Sequence, residues 1–259
     1  MTFRWLDRVV YPAFATMIIV LIWHASIIIG IFRSSMLPSP AEVLFATLDL
    51  IEKGILFQHI QASILRVFAG FCLAVIVAVP FGLLLGTYKK LMRIFDPLIQ
   101  LLRPISPIAW IPLAILWFGI GDVPAIFIIC ITAFFPMLIA SVDAVKNIDP
   151  VIIRSAKNFG TEGLNMLIKV ILPAAFPHIM VGMRISLSIS WVIIVAAEMV
   201  GMRSGLGFLI LDARNFLRTD IVIVCMIVIG VIGLLLDRLF LYLEGKVRQK
   251  WAYSHTVIE

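Results

Sequence analysis

Charge is scarce in this sequence. Asp, Glu, Lys and Arg make up 14% of the 259 residues against 62% hydrophobic, and mean hydropathy is +1.11. That balance excludes a soluble globular domain, where about a quarter of residues are charged. Cysteine is scarce too: Cys72, Cys130 and Cys225 stand singly in apolar stretches, so they read as packing residues, not as a metal or disulfide framework. Ten-residue segments of alternating hydropathy are missing, which excludes a membrane β-barrel. No GxxxxGK[S/T] phosphate loop occurs, so the chain drives no nucleotide hydrolysis of its own. His, Asp and Glu do not cluster in the apolar runs, as a membrane-embedded enzyme would require. No cleaved signal peptide is expected, because the first apolar run is too long for one and lacks a small-residue cleavage site.

What is present is a set of long apolar runs. A helix crosses the roughly 30 Å hydrocarbon core in about 20 residues, and six runs qualify: residues 9–32, 60–88, 94–118, 123–145, 173–200 and 220–243. The expected fold is all-α, a polytopic membrane protein with about six transmembrane helices in one domain over residues 1–259. Between the first two spans, residues 33–59 leave the bilayer. Pro40-Ala41-Glu42 opens a helix whose apolar positions Val43, Leu44, Leu48 and Ile51 predict an amphipathic helix lying on the membrane. The third span carries Pro97, Pro104, Pro107 and Pro112, each of which bends a helix. Broken backbone at membrane depth is tolerated where protein or a cavity surrounds it, so residues 103–107 are expected to face the protein interior. His24, inside the first span, reads either as a pathway residue or as a satisfied interhelical hydrogen bond.

Six spans place both termini on one side. With the termini cytoplasmic, thirteen of the 21 Lys and Arg fall in cytoplasmic segments, with Lys89, Lys90 and Arg93 a compact group, and five fall outside. Arg66, Arg103 and Arg184 lie within spans. The +6 formal charge is therefore loop bias that orients the chain, not a nucleic-acid signal. Arg203, Arg214 and Arg218 run against the bias, and read as solvated charges, as an attraction for anions, or as a contact for a soluble partner.

On this orientation the polar segment 146–172 is cytoplasmic. Asp149-Pro150 is an N-cap followed by proline at the first helical position. Gly160 suits a left-handed helix end, and Thr161 is placed to cap a second short helix. Gly160, nine residues and then Val170-Ile171-Leu172-Pro173 resemble the EAA signature of binding-protein-dependent ABC importer permeases. Further segments are similar to the nitrate/taurine (nitrate, sulfonate and bicarbonate) branch of that family. They are Ser63-Ile64-Leu65-Arg66-Val67-Phe68-Ala69-Gly70-Phe71, Ile115-Leu116-Trp117-Phe118-Gly119, Ala197-Glu198-Met199-Val200-Gly201 and Gly205-Leu206-Gly207, and the resemblance covers about residues 36–245.

The resemblance implies a type I ABC importer permease fold in the bacterial inner membrane, working as a homodimer. Two cytoplasmic ABC ATPase subunits would bind the ATP and Mg, no cofactor would be held by this chain, and a solute-binding protein would deliver the substrate outside. It also implies that the EAA segment is a coupling helix docking on the ATPase, here Arg154, Ser155, Ala156, Gly160, Thr161 and Glu162. Arg154 stands where the family usually has Glu, so a contact with a cation there would have to be reversed.

For the path itself, intramembrane charge is the guide, since an Arg at mid-bilayer needs a partner or a cavity. Arg103 and Arg184 are the candidates for drawing in an anion, with Ser106, Trp110, Ser186, Ser190 and Trp191 as neutral lining. Against this, Arg184 could snorkel to the interface, and Arg103 could pair with Glu198. Glu198 reads as part of an external gate or as a structural ion pair. Arg103-Pro104-Ile105-Ser106-Pro107-Ile108-Ala109-Trp110 resembles the nitrate and bicarbonate subgroup, which implies a small oxyanion as cargo, nitrate or bicarbonate before sulfonate or taurine. The competing class is a self-sufficient secondary transporter or channel, which would need inverted repeats and paired broken helices.

Overall fold

The computed structural model describes residues 3–30 and 36–252, and among these the chain is helical with no strand. α1 (Phe3–Ile28) leads to α2 (Pro40–Glu52), α3 (Ile55–Thr87) and α4 (Lys89–Leu102). A 3₁₀ turn, Pro107–Trp110, precedes α5 (Ile111–Phe118), and α6 (Asp122–Lys146) follows. α7 (Pro150–Asn158), α8 (Gly163–Met166) and a π-helical turn (Leu167–Ile171) lead into α9 (Leu172–Met199). α10 (Leu206–Asn215) and α11 (Thr219–Ala252) complete the described chain.

Four helical segments are long and apolar enough to cross a membrane: α3, α6, α8 with α9 read as one segment, and α11. A fifth span exists if α4 and the Pro107–Phe118 segment are counted together, though they meet at 84°. The described apolar part of α1, Phe14–Ile28, is shorter. The third span is thus not one bent helix but two helices meeting at an elbow. The break falls at residues 103–106, where Pro104 and Pro107 interrupt successive backbone bonds, while Pro97 is accommodated inside α4. The sequence leads one to expect residues 103–107 to face the interior, but within this chain the elbow does not: Arg103, Pro104, Ile105 and Ser106 are exposed on its surface.

α6 is the centre of the bundle, packed along α3 on one side and α9 on the other. The α3–α6 approach depends on glycine. A β-carbon at Gly70 would lie 2.6 Å from the Ile126 carbonyl, and one at Gly82 would lie 2.5 Å from Ser141 Cβ and 2.8 Å from the Leu138 carbonyl. Small residues let helix backbones come close enough for dispersion to act where no hydrophobic driving force exists. Gly82→Leu is expected to force the pair apart at a cost of about 1–3 kcal/mol. It would be read as a lower temperature for loss of monodispersity in detergent. Gly230→Leu, which meets open space, should leave that temperature unchanged.

α2 begins as the sequence predicts, with a capping box. Ser39 Oγ accepts from the Glu42 amide at 3.2 Å, and the Glu42 carboxylate accepts from the Ser39 amide at 2.6 Å. Its apolar residues divide between two sides. Val43, Ala46 and Leu50 are buried against the bundle, where α2 meets α3 and α11, whereas Leu44, Phe45, Leu48 and Ile51 point outward. Trp23 Nε1 donates to the Pro38 carbonyl at 3.1 Å and ties α1 to this corner. His24 is exposed on α1.

Candidate functional site

Three features stand out from hydrocarbon packing. The first is the polar end of the bundle. Asp149 caps α7 by accepting from the Val151 amide at 2.8 Å, and Gly160 ends it at φ +76°. The amide of Gly160 donates to Lys157 O and that of Thr161 to Ala156 O. The next cap is Glu162, in extended backbone with no side-chain bond, so Thr161 does not fill the role its chemistry suggested. Ile153 and Ala156 turn inward onto the core. Arg154, Ser155 and Lys157 turn outward, with Phe159 88% and Leu164 74% exposed. Arg154 reaches only its own helix, at Pro150 O (3.3 Å). From here α8 enters α9 through the π-helical turn. Pro173 has no N–H to give the Lys169 carbonyl, and its ring would crowd that carbonyl in an α-helix, so the backbone widens by one residue.

The second feature is a groove of about 480 Å³ open on one face of the bundle. The elbow supplies Arg103, Ile105 and Pro107. The middle of α6 supplies a wall that includes Thr132, Phe135 and Ile139, and the middle of α9 supplies Ile185 and Ile189. Arg103 has no ion pair with any described residue. It is a guanidinium at the mid-length of membrane helices, facing out of the chain.

The third is a buried polar knot near the opposite end from α7. Arg66, 4% exposed, donates to Asp122 Oδ1 (2.8 Å), Glu198 Oε1 (2.8 Å), Ser204 O (2.7 Å) and Ser204 Oγ (2.7 Å). Glu198, fully buried, also accepts from Ser63 Oγ (2.8 Å) and the Gly207 amide (3.0 Å). Ser63 Oγ in turn accepts from the Leu206 amide, and His59 Nδ1 from the Gly205 amide, both at 2.9 Å. A β-carbon at Gly205 would run into the Glu198 carboxylate. The knot therefore joins α3, the start of α6, the end of α9 and the loop into α10.

These placements correct several expectations. Glu198 pairs with Arg66 and not with Arg103, and its side chain is fully buried. Arg184 neither lines the groove nor snorkels free: its Nε donates to Asp237 on α11 at 2.7 Å, with Glu244 at 3.9 Å. Ser190 bonds back to Ser186 O (2.8 Å) and Trp191 Nε1 donates to Ile229 O (2.9 Å); both are buried in the α9 packing and do not form neutral lining. Ser186 is buried as well, and its hydroxyl has no partner among the described residues. Ser106 is exposed at the elbow, and Trp110 is half-buried beside it. Among the loop arginines, Arg218 is held by Asp220 at 2.7 Å, a bond that raises its guanidinium above its ordinary pKa.

The chain thus combines helices long and apolar enough to cross a membrane, a broken helix pair beside an open groove, and an ordered polar surface at one end. The family described as "Binding-protein-dependent transport system inner membrane component" matches residues 78–249, and the chain belongs to it. A Methanocaldococcus jannaschii protein provisionally named an ABC transporter permease protein is 46% identical over 198 residues, 76% of this chain and 74% of that protein. The taurine transport system permease protein TauC of Escherichia coli is 35% identical, covering 90% of this chain and 88% of its own length. The nitrate import permease protein NrtB of Synechocystis is 34% identical, covering 95% and 92%. In fold, a chain from inward-facing structures of the MetNI methionine ABC transporter superposes with a TM-score of 0.67 at 18% identity, over 74% of this chain and 96% of that one. The type I importer permease fold is therefore present.

Proposed function

We propose that this chain forms the translocation path of an ATP-driven importer for a small organic oxyanion, as a homodimer with α7 and both termini in the cytoplasm. Two ABC ATPase subunits, holding the ATP and Mg, dock on the α7–α8 surface. A solute-binding protein delivers cargo at the Arg66 end. The permease is one domain, with residues 33–59 outside and 146–172 coupling to the ATPase.

The observation that carries the reading is Arg103, without an ion pair among the described residues and level with the middle of α6 and α9. A lipid-facing Arg there would cost about 2.5–3.5 kcal/mol or more, which a second copy removes by closing the groove into a shared cavity. The walls then favour one cargo over another. Apart from Arg103 and Thr132 the groove is aliphatic and aromatic, so a sulfonate fits it with its oxygens on the guanidinium and its carbon body on Phe135, Ile139 and Ile185. Nitrate and bicarbonate, placed first on sequence alone, leave those walls unused.

In vesicles holding the permease, its ATPase and binding protein, Arg103→Ala is expected to lower uptake of labelled taurine or alkanesulfonate about tenfold to a hundredfold, the value of a charged hydrogen bond. The ATPase should stay bound and Arg103→Lys should fall between. Uptake unchanged in Arg103→Ala would sink the anion path.

A further inference from the structure

We propose that α4 is a docking helix for the phosphodiester headgroups of anionic phospholipids in the leaflet on the α7 side; the choice of leaflet rests on the orientation proposed above. At 100° per residue the side chains of α4 fall into three strips. Leu91, Met92, Phe95 and Ile99 pack against the bundle, with the Phe95 ring edge-on to Phe81 at 5.1 Å. Ile94, Leu98 and Leu101 form a second strip, 64%, 51% and 67% exposed. Lys89, Lys90 and Arg93 form the start of the third, which continues through Asp96 and Gln100.

A helix that simply crosses a bilayer needs no polar strip, and one that floats in water needs no exposed apolar strip. Three strips fit a helix that starts at the headgroups with Lys89, Lys90 and Arg93 and descends along the seam between protein and hydrocarbon toward the elbow. The elbow agrees, because α4 meets the Pro107–Phe118 segment at 84° and is not the continuation of a straight span.

The charge on the third strip has no carboxylate paired with it among the described residues. Lys89, Lys90 and Arg93 are exposed and make no ion pair with any described residue. The one acid on the strip, Asp96, is held by Gln100 at 2.6 Å. Lys89 and Arg93 are one turn apart, about 6 Å, close enough to share a phosphodiester. Ile94 and Leu98 lie next to Arg93, where acyl chains of the same lipid would run. A soluble phosphate would use the cations and leave that apolar strip bare. Each cation beside an anionic surface favours it about fivefold.

The test uses the full-length permease with its ATPase bound, in nanodiscs of mixed phosphatidylglycerol and phosphatidylcholine, with retained lipids counted by native mass spectrometry. The wild type is expected to enrich phosphatidylglycerol at least about tenfold over the bulk ratio. K89Q/K90Q/R93Q is expected to return to near the bulk ratio while keeping its ATPase. A charge-matched control on α11, R238Q/K246Q/R248Q, should keep the enrichment. The proposal is overturned if the triple variant enriches phosphatidylglycerol like the wild type, or if the control loses it equally, which would mean diffuse charge. It is also overturned if the triple variant sheds its ATPase, giving the strip to that subunit, or if soluble glycerol 3-phosphate displaces the lipid. None of these readouts depends on uptake, so a failed sulfonate reading leaves the lipid result standing.

Discussion

Arg66→Ala is expected to destabilise the chain by about 3–5 kcal/mol, the cost of stranding one member of a buried ion pair. The partner left behind is Glu198, which has no exposed surface and would keep only Ser63 and the Gly207 amide. The same substitution removes both bonds to Ser204, so the loop into α10 loses its tie to α3. Asp122 loses its cation as well, but its side chain is 68% exposed and water can replace the contact. Glu198→Gln should cost less, since an amide still meets Ser63 and carries no stranded charge. The pair R66M/E198M should recover part of the loss, because it leaves no charge buried without a partner, although the Ser63 hydroxyl and the Gly207 amide lose their acceptor. Thermal loss of monodispersity in detergent reads all three. If Arg66→Ala matches the wild type, or the double variant is worse than the single, the knot is not what holds this end together.

The knot also marks the limit of what sequence could reveal. Apolar runs fix where helices cross, because crossing a membrane is a one-dimensional requirement on length and hydropathy, and the long spans were legible for that reason. Which charges meet is a three-dimensional question: Arg66 and Glu198 are 132 residues apart. One signal was available. A charge within a span needs a counter-charge in another span, and Arg66 with Glu198 and Arg184 with Asp237 are such pairs. Matching them would have left Arg103 as the intramembrane arginine without a carboxylate. The prolines of the third span announced a break but not its direction, since a lost backbone bond permits bending without choosing where the next helix goes. At the polar end, Asp149 and Gly160 were legible because each answers a local backbone need. The π-helical turn follows from Pro173 only once the helices on both sides are known to be continuous.

Phe159→Ala is expected to weaken binding of the ATPase about thirtyfold, and Arg154→Glu much less. Phe159 is an aromatic side chain 88% exposed at the end of α7, held there because Gly160 adopts φ +76° and turns the chain directly behind it. An aromatic anchor that fills a partner's pocket is worth about 2 kcal/mol or more on truncation, and each 1.4 kcal/mol is tenfold in affinity. Arg154 sits on the rim with its guanidinium in water, where a charge mainly alters the rate of encounter and its salt dependence. Arg154→Glu should therefore slow association and change its response to ionic strength, with little effect on dissociation. Phe159→Ala should speed dissociation. Both side chains are outside the packed bundle, so neither change should move the thermal stability of the permease alone. Binding of purified ATPase to the permease in nanodiscs, followed at two salt concentrations, separates the two. If Arg154→Glu proves the more damaging, the socket on the ATPase is read by charge, and the arginine at the family's usual Glu position has a dedicated acidic partner. If Phe159→Ala does, the contact is held by shape, which explains how a reversed charge beside it can be tolerated.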